Sequence, residues 1–293
     1  MTPGVMALAE GILEARLRIA MLLNRLRALI RPLVASATII ALAAGCGLTG
    51  LREPSREDVL QRILPSAVQI VLEQQEGRRF RTGSGVVIAS RPAARRVDCF
   101  VLTSGHAVAD AVGQKEIYLL FGRHRGAGTK ERATVLAHRE SADLDLALLR
   151  AESDHCEPAR PGAPAMLGES VWVIGFPWGR NLLLGSGIVS QVNAQGAEDR
   201  ETASRLMVDA SVSYGSSGGG VYDARDGGLL GLVEGYRTAR VTAQGTEAPW
   251  FIDVPVPGQT FVTPLVEIRR FLADAGHADL IGSPPPSFSR AAR

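Results

Sequence analysis

A succession of short apolar segments, each closed off by glycine or proline, sets the first limit on the fold of this chain. Ser66–Glu73 alternates apolar and polar residues, as a half-buried strand does. Val86–Ala89, Cys99–Thr103, Glu116–Phe121, Ala133–His138 and Leu144–Arg150 predict further strands, with Gly77–Gly83 read as a basic turn. Pro158, Pro161 and Pro164 make a joint, and the same style resumes beyond it in Val171–Ile174, Gly187–Val189, Leu206–Ala210 and Leu229–Glu234. Short strands at near-regular spacing with Gly and Pro turns predict an all-β chain, as barrels or as a sandwich. The 32 glycines and 16 prolines against 5% aromatic residues agree, and 46% hydrophobic residues supply a substantial core. Pro264–Ala275 has helical spacing with proline in the first turn.

The N-terminal part is organised differently. Arg25, Arg27 and Arg31 precede an apolar run from Pro32 to Gly45, 14 residues long. A helix needs about 20 residues to span a bilayer, so the run fits the hydrophobic region of a secretory signal. It ends in Leu42-Ala43-Ala44-Gly45-Cys46, which resembles the lipobox of bacterial lipoproteins and makes Cys46 the candidate lipidation site. Several acyl chains hold a protein stably where one binds only marginally. The alternative is an uncleaved anchor or an amphipathic helix. The segment before Met21 adds nothing to such a signal, which points to Met21 as the start of translation. The boundaries that follow are a signal over 1–45, a tether over 46–62 running into one helical turn, a folded domain over 63–275 with halves 63–160 and 161–275, and a Pro- and Ser-rich tail over 276–293 that reads as disordered.

The net charge of +2 divides unevenly, with +3 on residues 1–45 and −1 on the remainder. A nearly neutral body without a basic stripe leaves no footprint for nucleic acid. The partner this part of the sequence points to is a membrane, through Cys46.

Chemistry enters with Gly215-Ser216-Ser217-Gly218-Gly219. A serine on a glycine turn can present its hydroxyl, and the N–H groups of the turn can converge on a developing negative charge. Upstream, an apolar strand delivers His106 and another begins at Asp145. A serine hydroxyl needs a base to take its proton, and an imidazole titrates in the right range. Asp143 lies two residues before Asp145, on the same face of a strand, and is its rival.

Val101-Leu102-Thr103-Ser104-Gly105-His106, Asp145-Leu146-Ala147-Leu148-Leu149 and Gly215-Ser216-Ser217-Gly218-Gly219 together resemble the trypsin-like serine proteases, with closest similarity to the bacterial HtrA/Deg branch. Gly83-Ser84-Gly85-Val86-Val87, Ile174-Gly175-Phe176-Pro177-Trp178-Gly179, Ser186-Gly187-Ile188-Val189-Ser190 and Asp209-Ala210 match as well, so the resemblance covers roughly residues 60–275. It implies a double six-stranded antiparallel β-barrel with a C-terminal helix, and Ser217 as nucleophile, His106 as base and Asp145 as its orienting partner. It also implies an oxyanion hole from the N–H groups of Gly215 and Ser217, and no cofactor. The Asp-Leu-Ala-Leu-Leu pattern favours Asp145 over Asp143, while Asp209 reads as a structural acceptor. Ser216 departs from the Asn usual in the branch. The 18 residues after Ala275 are read as leaving no room for a PDZ domain.

By the same resemblance Ser211 lies at the base of the primary pocket, where a neutral residue argues against cleavage after Lys or Arg. Glu234, Gly235 and Tyr236 line its wall, and Tyr236 narrows or closes it. Cys99 and Cys156 are either a disulfide, since the resembled fold makes their strands neighbours, or two buried thiols. The remaining histidines have no zinc spacing. The expectation is a periplasm-facing lipoprotein with serine endopeptidase activity; the alternative is a latent or silent pseudoprotease that binds polypeptides.

Overall fold

The computed structural model describes residues 18, 21–22, 54–74, 77–94, 96–109, 116–141, 143–192, 205–243 and 250–282. The chain divides into two units, Met1–Glu53 and Pro54–Arg293. Of the first, only Arg18, Met21 and Leu22 are described, as exposed helical residues. Apart from those three residues the proposed signal lies outside the described residues, as do Cys46 and the residues beyond Gly282. Residues 276–282 of the tail read as disordered instead hold a 3₁₀ turn, Ala278–Leu280, with Leu280 and Ile281 buried against the core. Among the described residues no helix is long and apolar enough to cross a membrane.

The second unit opens with helix α1, Arg56–Ile63, where the sequence suggested a tether and a single turn. Ser55 and Asp58 close a reciprocal capping box, which satisfies two N-terminal N–H groups that would otherwise lack acceptors. Val59 and Ile63 are its buried face.

Two closed antiparallel barrels of six strands follow. The first contains β1 (Ala67–Glu73), β2 (Arg79–Pro92), β3 (Val97–Thr103), β4 (Glu116–Phe121), β5 (Thr129–Glu140) and β6 (Asp145–Ser153), in the order β1-β2-β3-β6-β5-β4. The second contains β7 (Ser170–Gly175), β8 (Leu183–Val192), β9 (Leu206–Val208), β10 (Gly220–Asp223), β11 (Leu229–Ala243) and β12 (Trp250–Pro264), in the order β10-β11-β12-β9-β8-β7. The sequence left barrels and sandwich open, and closure decides for barrels. Strand β2 starts at Arg79, inside the stretch read as a turn, because its first residues pair with β1 at Leu72 and Glu73.

Each barrel has its own core. Val68, Ile70, Leu72, Val101, Leu119, Phe121 and Leu149 fill the first, and Val171, Val173, Val208, Val221 and Val262 the second. A third cluster joins them. Ala67, Val86, Phe100, Leu102 and Leu148 of the first barrel meet Ile174, Phe176, Tyr222, Leu229 and Leu232 of the second, and helix α2 (Leu265–Asp274) packs Ile268, Phe271 and Leu272 on this seam. Strand β1 is buried along its whole length, with Ala67 in this seam and Val68, Ile70 and Leu72 in the core of the first barrel. Full burial of each large apolar side chain contributes about 1.5–3 kcal/mol, so the seam fixes the barrels against one another. Within it, Ser66 Oγ donates to Ile63 O, and the buried Tyr222 hydroxyl pairs with Ser66 Oγ at 2.8 Å.

The linker between the barrels is tied to the first. Cys99 of β3 and Cys156 are joined as a disulfide, with Cα atoms 5.6 Å apart and a separation of 57 positions in sequence. A loop of that length is expected to add about 4 kcal/mol through restriction of the unfolded chain. Chemical denaturation of the Cys99→Ser/Cys156→Ser double variant should show a loss of that order. A midpoint equal to the parent's would remove the bond from the account of stability.

Candidate active site

The pairing of β3 with β6 brings Thr103 opposite Ala147. That register sets Asp145, the first residue of β6, beside the 3₁₀ turn Gly105–Ala107 that carries His106. Asp145 Oδ1 accepts from the His106 backbone N–H at 2.7 Å, and Oδ2 lies 2.5 Å from His106 Nδ1. One carboxylate thus holds both the ring and its backbone. Nδ1 carries the proton toward Asp145, which leaves Nε2 with its lone pair. The Asp145 side chain is 12% exposed, and its hydrogen bond and charge raise the His106 pKa above the ordinary imidazole value, against the lowering effect of burial and of Arg81. Asp143 is exposed and stands outside this pair.

Ser217 lies on the turn before β10, on the side of the second barrel that faces the first. The turn is held peptide by peptide. Ser216 N–H donates to Ser213 O at 2.9 Å, Gly218 N–H to Val233 O at 2.8 Å and Gly219 N–H to Ser216 O at 2.9 Å. The N–H groups of Gly215 and Ser217 have no protein acceptor among the described residues. Tyr214 O accepts from Trp178 N–H at 2.7 Å, and across a trans peptide the Gly215 N–H points the opposite way. Gly215 has φ +88°, and a Cβ there would come within 2.8 Å of Phe176 O, so only glycine serves. Among the described residues no hydrogen bond joins Ser217 Oγ to His106 Nε2.

The pocket residues divide. Ser211 is exposed, whereas Glu234 is turned aside into an ion pair with Arg205, which approaches its two carboxylate oxygens at 2.8 Å each. Gly235 has open space where a side chain would be, in a stretch of β11 that leaves regular register at Glu234 and again at Arg237. Tyr236 meets Tyr214 edge-on with centroids 6.3 Å apart, and Tyr214 meets Trp178 at 5.4 Å. Tyr214, Trp178 and Tyr236 thus form an aromatic group next to the Ser217 turn, and Glu234 is already paired with Arg205. Trp178 holds a left-handed backbone (φ 56°), uncommon outside glycine, which aims its N–H at Tyr214. Its part in the turn was not read from the sequence; the positive-φ requirement at a Pro-Trp-Gly turn was the available signal. Asp209 Oδ1 accepts from Ile188 N–H at 2.6 Å, a structural bond behind the turn. Among the described residues no group of three His, Cys, Asp or Glu could hold a metal.

Residues 83–232 match the family described as the trypsin-like peptidase domain. Among curated proteins, "Serine protease HTR4" of Rattus norvegicus is 26% identical over 240 residues, covering 78% of this chain and 42% of the relative. "Probable periplasmic serine endoprotease DegP-like" of Buchnera aphidicola is 24% identical over 172 residues, covering 58% of this chain and 33% of the relative. The chain thus spans less than half the length of these relatives. Among solved structures, the inactive form of a Ser-to-Ala mutant of an M. tuberculosis protein shares the fold, with a TM-score of 0.55 at 23% identity over 79% of this chain and 95% of that one.

Proposed function

The chain belongs to the trypsin-like peptidase family, and from that premise we propose that it is a serine endopeptidase acting through Ser217, His106 and Asp145. The observation that carries this reading is the orientation of the His106 ring by Asp145, with Nε2 left as acceptor beside a turn whose Gly215 and Ser217 N–H groups are unused. Ser217 Oγ attacks the scissile carbonyl while His106 takes its proton, and Asp145 stabilises the imidazolium that forms. The carbonyl oxygen gains charge as the tetrahedral intermediate develops and is received by the two N–H groups, each donor lowering the barrier by roughly 3 kcal/mol. His106 then gives the proton to the leaving amine, the acyl-enzyme remains, and water reverses the sequence. The substrate strand pairs with Glu234–Tyr236, and the neutral Ser211 with the aromatic rim selects small or apolar side chains over Lys and Arg. The protein works on envelope polypeptides from the periplasmic side, held by lipid at Cys46. The lipobox-like Leu42–Cys46 supports that placement, as does the periplasmic description of the Buchnera relative.

One observation favours the alternative of a latent or silent form, the missing bond between Ser217 Oγ and His106 Nε2. Catalytic hydrogen bonds are often long before substrate binds, so the enzyme reading keeps precedence. A fluorophosphonate probe separates the two. Labelling of the parent at Ser217, read by mass spectrometry and lost in Ser217→Ala, is expected; a folded parent that takes no label would leave the latent form.

A further inference from the structure

Ser84 sits in β2 of the first barrel, 1% exposed, between two glycines, and each of its polar groups reaches a segment of the candidate site. Its N–H donates to Ser217 O at 2.9 Å. Its hydroxyl donates to Gly215 O at 2.6 Å and accepts from Phe176 N–H at 2.8 Å. Its carbonyl accepts from Thr103 Oγ1 at 2.7 Å, on the strand that leads to His106. One residue thus grips the carbonyls that follow both unused donors, the loop that carries Trp178, and the strand before the base.

The glycines on either side make this approach possible. A Cβ on Gly83 would meet Ala107 Cβ at 3.2 Å, and a Cβ on Gly85 would meet Val101 Cγ1 at 2.8 Å and Leu102 O at 3.1 Å. With Gly215 O held by Ser84 and Tyr214 O held by Trp178, the peptides on both sides of Gly215 are fixed. The Gly215 N–H then has one direction. The same hydroxyl bonds Phe176 N–H, so the loop and the turn share a single oxygen as their common support across the seam between the barrels.

We propose that Ser84 is a positioning residue that presets the oxyanion donors of Gly215 and Ser217 from the opposite barrel. The inference rests on the reading of Ser217 as nucleophile and adds to it what aims the donors. Ser84 touches neither substrate nor reacting atoms; it acts through the backbone of the turn. Its loss affects a developing oxyanion and leaves ground-state binding alone, since misplacing donors by about 1 Å costs on the order of 10²-fold in rate.

The test uses the folded protein, with the parent, Ser84→Ala and Ser84→Thr compared in fluorophosphonate labelling resolved into a binding constant and a maximal rate. The maximal rate of Ser84→Ala should fall about 10²-fold. Its binding constant should stay within about threefold, and Ser84→Thr, which keeps the hydroxyl, should stay within about tenfold of the parent. Phenylboronic acid, which forms a tetrahedral adduct at an activated serine, should lose affinity in parallel. The His106 titration read by NMR should not move, because the His106–Asp145 pair is untouched. Should Ser84→Ala fail to fold, Ser84→Cys, a weaker donor of similar shape, replaces it under the same criteria. A parent that labels together with an alanine variant that labels equally fast overturns the proposal and leaves Ser217 in place. A rate lost together with a displaced His106 titration overturns it too, since the defect would then be general. A folded parent that takes neither probe overturns the nucleophile reading beneath it.

Discussion

Ser217→Ala is expected to lower the turnover of denatured casein by about 10⁶-fold, or about 8 kcal/mol of barrier, while leaving the fold as stable as the parent's. The two halves of this expectation come from the same residue. Removal of the nucleophile ends the acyl-enzyme route, and what is left is water attacking a carbonyl still polarised by the Gly215 and Ser217 N–H groups. Such remnants in enzymes of this type retain roughly 10³–10⁴-fold over the uncatalysed rate. The Ser217 hydroxyl has no hydrogen-bond partner among the described residues, so its removal unpairs nothing. A change in unfolding free energy within about 0.5 kcal/mol follows, as for a substitution away from packing and polar networks. A loss of less than tenfold would place the nucleophile elsewhere, and a parent without turnover would return the argument to the latent form.

The local parts of this architecture were open to reading from the sequence because each is a short string with one chemical purpose. A histidine two residues after Ser104 at a strand end, an aspartate opening a strand and a serine among glycines need no knowledge of distant partners. The meeting of His106 with Asp145 is another matter. It depends on the register Thr103 against Ala147, which pattern alone does not give. Ser84 stood in a motif that matched, without a role, because its bonds reach 131 residues along the chain to Gly215 and 92 to Phe176.

The strands that escaped notice did so for physical reasons. β10 is four residues long and buried throughout, so it offers no alternation. β12 carries Pro255, Pro257 and Gly258, which demote a stretch in any reading by propensity. It holds as a strand because it pairs with β11 over most of its length, and its outer part, with Phe251, Ile252 and Val254 exposed, lies beyond the barrel wall. By the resemblance Tyr236 narrows or closes a pocket. The structure adds its edge-on contact with Tyr214, which needs the bulges of β11 to bring the two rings together.

Asp145→Asn is expected to lower kcat by about 10⁴-fold and to move the acid limb of the pH profile downward. The sign follows from what the base must be. His106 accepts the serine proton only when neutral, so activity rises as pH passes its pKa. In the parent, the hydrogen bond and charge of Asp145 place that pKa above the ordinary imidazole value of about 6.5. The amide removes the two largest raising effects and leaves burial and Arg81, which lower the value, against the smaller raising charge of Glu140. More of the ring is then neutral at pH 6, yet the rate collapses. An Asn NH₂ facing Nδ1 forces the proton to Nε2, the wrong nitrogen for taking one from Ser217, and no charge remains to stabilise the imidazolium. Stability responds in the same direction as the pKa. A raised folded-state value means that the His106–Asp145 contact contributes fully below about pH 6.5 and fades as pH climbs through the folded value. The variant's stability should therefore fall furthest behind the parent's on the acid side of that window. Stopped-assay rates from pH 5 to 9 beside NMR titration of the ring test both limbs. A variant within tenfold of the parent, or an acid limb that stays in place, would detach Asp145 from the base.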